Sequence, residues 1–248
     1  MSADVTAYAD MAEFYELVAE QQAARSGPLL RRSLEGAGPG PVVEIGAGTG
    51  RITEIIAQAL PERSVLAVEP AAGMRAVLVS RLAADPALAA RVTVSAQTAP
   101  DLTLPGRIGA AVVFGVAGHL DAGRRTTLWR RLRERLSPGG VIVVELMGVR
   151  STRPLPEACQ LRSRIGDLTY EWWVGGVPER EGAMRFTSRW RVLDDTGRVH
   201  REVHGGYLWH AVGVPELAAE SGMRVEAMGG RTGSGLPEVA VLRTGSPS

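Results

Sequence analysis

Apolar positions in the first part of the chain recur at helical spacing. Met11, Phe14, Tyr15 and Val18 share one side of Val5–Glu20, and Leu29, Leu30 and Leu34 continue the period through Gln21–Glu35, so two N-terminal helices are predicted. A Gly/Pro break over Gly36–Pro41 precedes the apolar run Val42–Ile45, a glycine-rich turn, and a second helical period from Ile52 to Leu60. Strand, turn and helix follow one another there. The alternation repeats, with predicted strands at Val65–Val68, Val92–Ser95, Ala110–Phe114 and Val141–Glu145 and helices at Gly73–Ala83 and Arg124–Leu136. Strands alternating with helices imply an α/β fold, a mainly parallel sheet with helices on both faces. The continuous apolar run VIVVEL, beside SPGG, has the pattern of a strand buried on both sides.

From about Arg150 to His210 the pattern changes to short β-rich runs, LTYEWWV, MRFTSRWRVL and RVHREV, and DDTG between the last two is a hairpin signal. Helix and strands return in VPELAAES, RVEAM and EVAVLR. The predicted organisation is therefore a core from residues 1–149 and 211–248, with 150–210 as an antiparallel β-rich insertion after the fifth strand. The insertion is too short to bury much of a core alone.

Composition narrows the function classes. A net charge of +1, from 28 basic and 27 acidic residues, gives no electrostatic reason to expect a polyanion, so neither nucleic acid nor membrane is an expected partner. Every basic residue is arginine, which leaves no lysine base, Schiff-base lysine or Walker lysine. The single cysteine, Cys159, excludes an intramolecular disulfide and a zinc cluster, and the expected location is a reducing cytoplasm. The N-terminus has neither a basic start nor an apolar core of the kind that targets a chain for export.

The segment VVEIGAGTG carries the first chemical signal, because Gly46, Gly48 and Gly50 allow a sharp turn at the carboxyl end of a strand, where such sheets bind ligands. Glu69 ends the strand VLAVE about twenty residues later, where a carboxylate can accept hydrogen bonds from both ribose hydroxyls of an adenosine. Both signals fit a dinucleotide as well as S-adenosylmethionine. Glu44, just before the glycines, disfavours a pyrophosphate and favours a cationic sulfonium.

An acidic residue followed by GxGxG resembles the first motif of the class I S-adenosylmethionine-dependent methyltransferases, and the likeness runs over nearly the whole chain. It implies a Rossmann-like doubly wound fold, with Glu44 and the loop Gly46, Ala47, Gly48 and Gly50 holding the methionyl part and Glu69 the ribose. Met74 is then near the adenine, and Gln97 occupies a place where many relatives carry an aspartate. The implied cofactor set extends to Tyr15, Pro70, Thr98 and Phe114. The segments YADMAEFYELVA, FGVAGHL and REVHGGYLW further resemble the sugar N,N-dimethyltransferases of macrolide biosynthesis and related small-molecule or peptide N-methyltransferases. That likeness implies active-site roles for Tyr8 and His119, a small-molecule or peptide acceptor of natural-product biosynthesis, and often a homodimer.

On its own position, just past the fourth strand, His119 is a candidate to accept or relay the proton of an attacking amine, given an ordinary imidazole pKa of about 6.5. O-methylation with His119 as general base is the runner-up, and a non-catalytic S-adenosylmethionine-binding subunit or an NAD-dependent oxidoreductase are alternatives of other classes. Alternation in RVHREVH puts His200, Glu202 and His204 on one face and Val199, Arg201 and Val203 on the other. That polar face can line a pocket or be solvated; no metal site is expected. Trp172, Trp173, Trp190 and Trp209 fall in the insertion and predict a substrate lid or a subunit interface.

Overall fold

The computed structural model describes residues 11–147, 149, 152–179, 182–229 and 238–245. Its elements in chain order are α1 (Ala12–Leu34), β1 (Val42–Ile45), α2 (Arg51–Ala59), β2 (Val65–Val68), α3 (Ala72–Ala83), α4 (Pro86–Ala89), β3 (Val92–Ser95), β4 (Ile108–Val113), a 3-10 turn (Ala117–His119), α5 (Ala122–Arg135) and β5 (Leu136–Leu146). Four long strands follow: β6 (Leu155–Ile165), β7 (Leu168–Pro178), β8 (Ala183–Leu193) and β9 (Val199–His210). The chain then passes through α6 (Val214–Ser221), β10 (Arg224–Gly229) and β11 (Glu238–Arg243).

Seven strands form one sheet in the order β10-β11-β5-β4-β1-β2-β3, all running one way except β11, which pairs antiparallel with both β10 and β5. This is the Rossmann-like doubly wound fold expected from the alternating pattern. Strand β1 pairs with β2 on one side and β4 on the other, so the chain reverses its direction of travel across the sheet at the β1–β4 boundary. Ligands of such sheets bind outside the carboxyl ends of the strands at that reversal.

Both faces of the sheet are covered, which is why its strands read as unbroken apolar runs. On one face Val43, Ile45, Val113 and Val144 pack against Leu128, Trp129 and Leu132 of α5 and Leu217 of α6. On the other, Val42, Val65, Val112 and Val143 pack against Leu30 and Leu34 of α1, Ile56 of α2 and Leu78 of α3.

The remaining sheet is antiparallel, in the order β6-β7-β8-β9, and is the insertion expected after the fifth strand. The chain reverses at Asp194–Gly197, where Asp194 accepts the N–H groups of Thr196 and Arg198, as the DDTG signal predicts. Period-2 alternation sends Phe186, Trp190 and Val192 inward and Arg189 and Arg191 outward. Val203, Tyr207 and Trp209 lie on the inward side, so the His200, Glu202 and His204 face does not line a pocket. It is an outward ladder in which Glu202 meets Arg189, Arg191 and His204. Among the described residues no group of three His, Cys, Asp or Glu could hold a metal.

One N-terminal helix replaces the two predicted, within the described residues, and it ties the sheets together. Its first half packs Phe14 and Val18 on the inner face of the antiparallel sheet, Phe14 stacking on Trp190 at 5.2 Å between ring centroids. Its second half packs Leu30 and Leu34 on the parallel sheet. Pro28 lies inside it. A mid-helix proline costs about 3 kcal/mol, and burying side chains such as Phe14 and Leu30 returns about 1.5–3 kcal/mol each, so packing at both ends carries the helix through. No helix among the described residues is long and apolar enough to cross a membrane.

Candidate active site

A cleft opens at the carboxyl ends of β1, β2 and β4, with about 920 Å³ of atom-free space including its open mouth. Residues Ile45, Gly46 and Gly48 after β1, Glu69–Ala71 after β2 and Phe114–Val116 after β4 form its walls, and Met74, Gln97, Thr98, His119 and Tyr15 complete it. Gly46 takes a φ of 75°, and a Cβ there would run into the Val116 side chain, so this turn accepts only glycine.

Glu69 is held rigidly at the end of β2. The Gly48 N–H donates to its Oε2 at 2.8 Å and the Ala71 N–H to its Oε1 at 2.7 Å. Each carboxylate oxygen keeps a lone pair for a further donor. Burial raises this carboxyl above its ordinary pKa, opposed by the two backbone N–H groups and the Arg75 charge. Gln97 is tied to Thr103, accepting its N–H at 2.8 Å and donating to its hydroxyl at 3.2 Å, and keeps one acceptor site on its amide oxygen. Met74 is buried against Ala71 and Tyr15 and also lines the cleft.

A second lobe continues the cleft over the glycine turn, lined by Gly46, Ala47, Gly48, Gln22, Arg51 and Glu145 beneath α1. Tyr15 lines both lobes. Burial, with the negative charges of Glu145 and Glu69 nearby, pushes its phenol well above the ordinary range, so it stays protonated as a hydrogen-bond donor. Its helix is clipped to the turn by Glu16, which pairs with both Arg51 and Arg81, while Arg81 also donates to the Thr49 carbonyl at 3.0 Å.

Two expected cofactor residues lie off the cleft. Gly50 caps α2 and faces Leu78 and Arg81. Glu44 is 1% exposed and accepts the Thr53 hydroxyl at 2.5 Å behind the turn. Alternation explains this, since Glu44 points from the middle of β1 into the helix-covered face rather than past the strand end. Burial pushes its pKa up to about 8. The unfolded chain ionises Glu44 near 4.5 while the folded one keeps the proton until about 8, so its stabilising effect is lost as the pH rises through that window. Glu69 and Glu145 are raised by burial and act in the same direction. Buried His119, pushed down to about 4, opposes this below 6.5, so the thermal midpoint of the ligand-free protein is expected to fall most clearly between about pH 6.5 and pH 8, and more steeply than that of Glu44→Gln. Equal slopes for the two proteins would remove Glu44 as a cause.

At the other end of the cleft a chamber lies between α1 and the inner face of the antiparallel sheet. Tyr15, Gly115, Met147, Trp172, Trp190, Tyr207 and Trp209 line it, with Ser188 and Gln22 as further polar groups and, among the described residues, no acidic or basic side chain. His119, in the 3-10 turn after β4, meets Trp209 at 4.9 Å and Tyr207 at 5.3 Å between ring centroids. Trp209 lies so close over the turn that a Cβ on Gly118 would strike its indole, which makes residue 118 a required glycine. Burial lowers the His119 pKa to about 4, against a hydrogen bond to the Leu208 backbone. This corrects the expectation of an ordinary imidazole, because a neutral ring with so acidic a conjugate acid is a weak proton relay. Tyr8 lies outside the described residues. Sequence reasoning missed Glu145 and the role of Trp209 as a wall; the acid ending the apolar run VIVVEL was the visible signal for the first.

Residues 43–142 match the family model described as a methyltransferase domain. No curated protein sequence matches the chain. Among solved structures, the CcbJ methyltransferase from Streptomyces caelestis superposes with a TM-score of 0.73 at 20% identity, covering 98% of this chain and 100% of that one. CalS10, an amino pentose methyltransferase from Micromonospora echinaspora involved in calicheamicin biosynthesis and solved with S-adenosylmethionine, gives 0.69 at 21% identity, with 91% and 92% covered. The glycopeptide N-methyltransferase MtfA, solved with S-adenosyl-L-homocysteine, gives 0.61 at 24% identity, with 88% and 87% covered. Residues 43–142 are thus similar to a methyltransferase domain, and the likeness to these solved structures shows a shared fold.

Proposed function

We propose that the chain transfers a methyl group from S-adenosylmethionine to an amine of a small molecule or peptide in natural-product biosynthesis. The observation that carries this reading is the junction of two unlike cavities at Tyr15 and Gly115. One is a cleft with the acid Glu69 in its wall, and the other is an aromatic chamber without ionised groups among the described residues. The amine acceptor is supported by the amino pentose and glycopeptide N-methyltransferases among the structural neighbours.

In this reading Glu69 accepts the two ribose hydroxyls, Met74, Gln97 and Thr98 surround the adenine, and Pro70 and Phe114 close the sides. Gly46, Ala47 and Gly48 lie along the aminoacyl arm, with Glu44 and Gly50 shaping the turn from behind. The bound sulfonium supplies an already activated methyl group. The protein's own work is alignment, exclusion of water and delivery of a neutral amine. A chamber lined by tryptophan and tyrosine favours the uncharged acceptor, whose lone pair is free. His119, held neutral, accepts a hydrogen bond from the amine N–H and turns the lone pair toward the methyl. Aromatic faces then stabilise the cationic product by cation–π attraction before its proton leaves to water. The core residues 1–149 and 211–248 bind the cofactor, and residues 150–210 form the acceptor side.

O-methylation is the weaker reading, because removing a hydroxyl proton needs a stronger base than an imidazole held at about 4. The test is mass spectrometry of products formed from amino sugars, amino acids, short peptides and phenols. Methylated phenols with unmodified amines would overturn the amine assignment, and cofactor binding without any product would favour the non-catalytic subunit. His119→Ala is expected to leave S-adenosylhomocysteine affinity within about threefold and to lower kcat by about 10²-fold, in the range of a lost positioned group. Unchanged turnover would remove His119 from the mechanism.

A further inference from the structure

Resting on the cofactor reading above, we infer that Glu145 is the counter-charge for the α-ammonium of the cofactor's aminoacyl arm. Glu145 ends the run VIVVEL at the carboxyl end of β5, on a strand whose neighbours Val143, Val144 and Leu146 are buried in the two cores. A carboxyl there is costly unless something compensates it. Structure alone offers little compensation. Its hydrogen bond among the described residues comes from the Ser26 hydroxyl of α1, and none of the ion pairs among those residues includes it.

What the side chain faces instead is the lobe over the glycine turn, shared with Gly46, Gly48, Gln22 and Tyr15. Alternation puts Glu145 on the same side of the sheet as Glu44, but at the strand end, past the helix-covered core. Glu44 is sealed behind the turn by Thr53, so the acid beside the glycine motif is not the one that faces the lobe. The other nearby acids are already neutralised, Glu16 by Arg51 and Arg81 and Glu54 by Arg81.

Glu69 and Glu145 thus stand in the two lobes with Tyr15 between them, electrostatically coupled to both. A ligand that lays its ribose on Glu69 and crosses the turn brings its amino-acid end to Glu145. The chemistry that suits a buried carboxylate with a single hydroxyl partner is a primary ammonium, which adds both the missing charge and further donors.

The experiment is calorimetry of the purified chain with two ligands, S-adenosylhomocysteine and 5′-methylthioadenosine, which lacks the aminoacyl arm. Glu145→Gln, which keeps the shape and the acceptor for Ser26, is expected to weaken S-adenosylhomocysteine about 10- to 100-fold while shifting 5′-methylthioadenosine by less than about threefold. Glu145→Asp, which keeps the charge but withdraws it by one methylene, loses part of the same affinity and carries the test should the glutamine variant fold poorly. Ser26→Ala leaves the ratio between the ligands intact. Equal losses for both ligands in Glu145→Gln, or an unchanged S-adenosylhomocysteine affinity, would overturn the assignment. A wild-type chain that binds neither ligand would overturn the cofactor reading as well, and a wild-type chain that binds both with equal strength would overturn the ammonium site alone.

Discussion

Glu69→Ala is expected to lower the affinity for S-adenosylmethionine by roughly 10²- to 10³-fold, the largest binding effect of any single substitution considered. Two consequences add. On the proposed reading the ribose loses a carboxylate that takes both hydroxyls, and hydrogen bonds to a charged group are worth about 1.5–3 kcal/mol each. The turn also loses the acceptors for the Gly48 and Ala71 N–H groups, which Glu69 holds at 2.8 and 2.7 Å. Leaving such donors buried costs about 1–3 kcal/mol, though the cleft admits water to them. Glu69→Gln keeps one carbonyl oxygen and is expected to fall between the two. Calorimetry with S-adenosylhomocysteine checks the order; an alanine variant within threefold of the native affinity would mean that the adenosine does not lie on this acid.

Trp209→Ala is expected to have the largest effect on stability. The indole is 5% exposed, packs on Gly118 and His119, and stands against Tyr207 with ring centroids 6.2 Å apart. Truncating a buried tryptophan costs about 3–5 kcal/mol, which for a chain of this size corresponds to a fall in Tm of roughly 6–20 °C. The contact also joins β9 to the turn that carries His119, so kcat falls with stability while S-adenosylhomocysteine, bound on the far side of the cleft, keeps most of its affinity. Trp209→Phe, which refills part of the cavity, recovers part of both. A shift in Tm below about 2 °C would show that the sheet and the turn are not fastened through this ring.

Much of this was legible beforehand in particular residues. The runs Val42–Ile45, Val65–Val68 and Val92–Ser95 are strands with the predicted bounds; the first two are largely apolar and lie inside a sheet covered on both sides, while Val92–Ser95 alternates apolar and polar residues at the sheet edge. Gly46, Gly48 and Glu69 line one cleft as expected, since strand ends in a parallel sheet converge whatever covers the rest. The pattern divides the first helix at Glu20–Gln21 because the large apolar residues lapse between Val18 and Leu29, and only the packing of Phe14 on one sheet and Leu30 on the other shows it continuous. In β9 the alternation separates the two faces, and the His200, Glu202 and His204 face is the exposed one, as its polarity favours. What covers the other face depends on Trp190 and Phe14 stacking across to α1, a contact between residues distant in sequence.

By itself, then, the order of residues determined the alternating strands and helices, the glycine turn and the acid that ends β2, because these arise from short-range periodicity and from backbone conformations that glycine alone adopts readily. Only the tertiary structure decided that Glu44 is sealed away while Glu145 faces the lobe, that His119 is held neutral between Trp209 and Tyr207, and that the tryptophans wall a chamber beside the cleft. Those outcomes depend on burial and on which charges lie close in space, and both are set by packing between segments that the sequence keeps far apart.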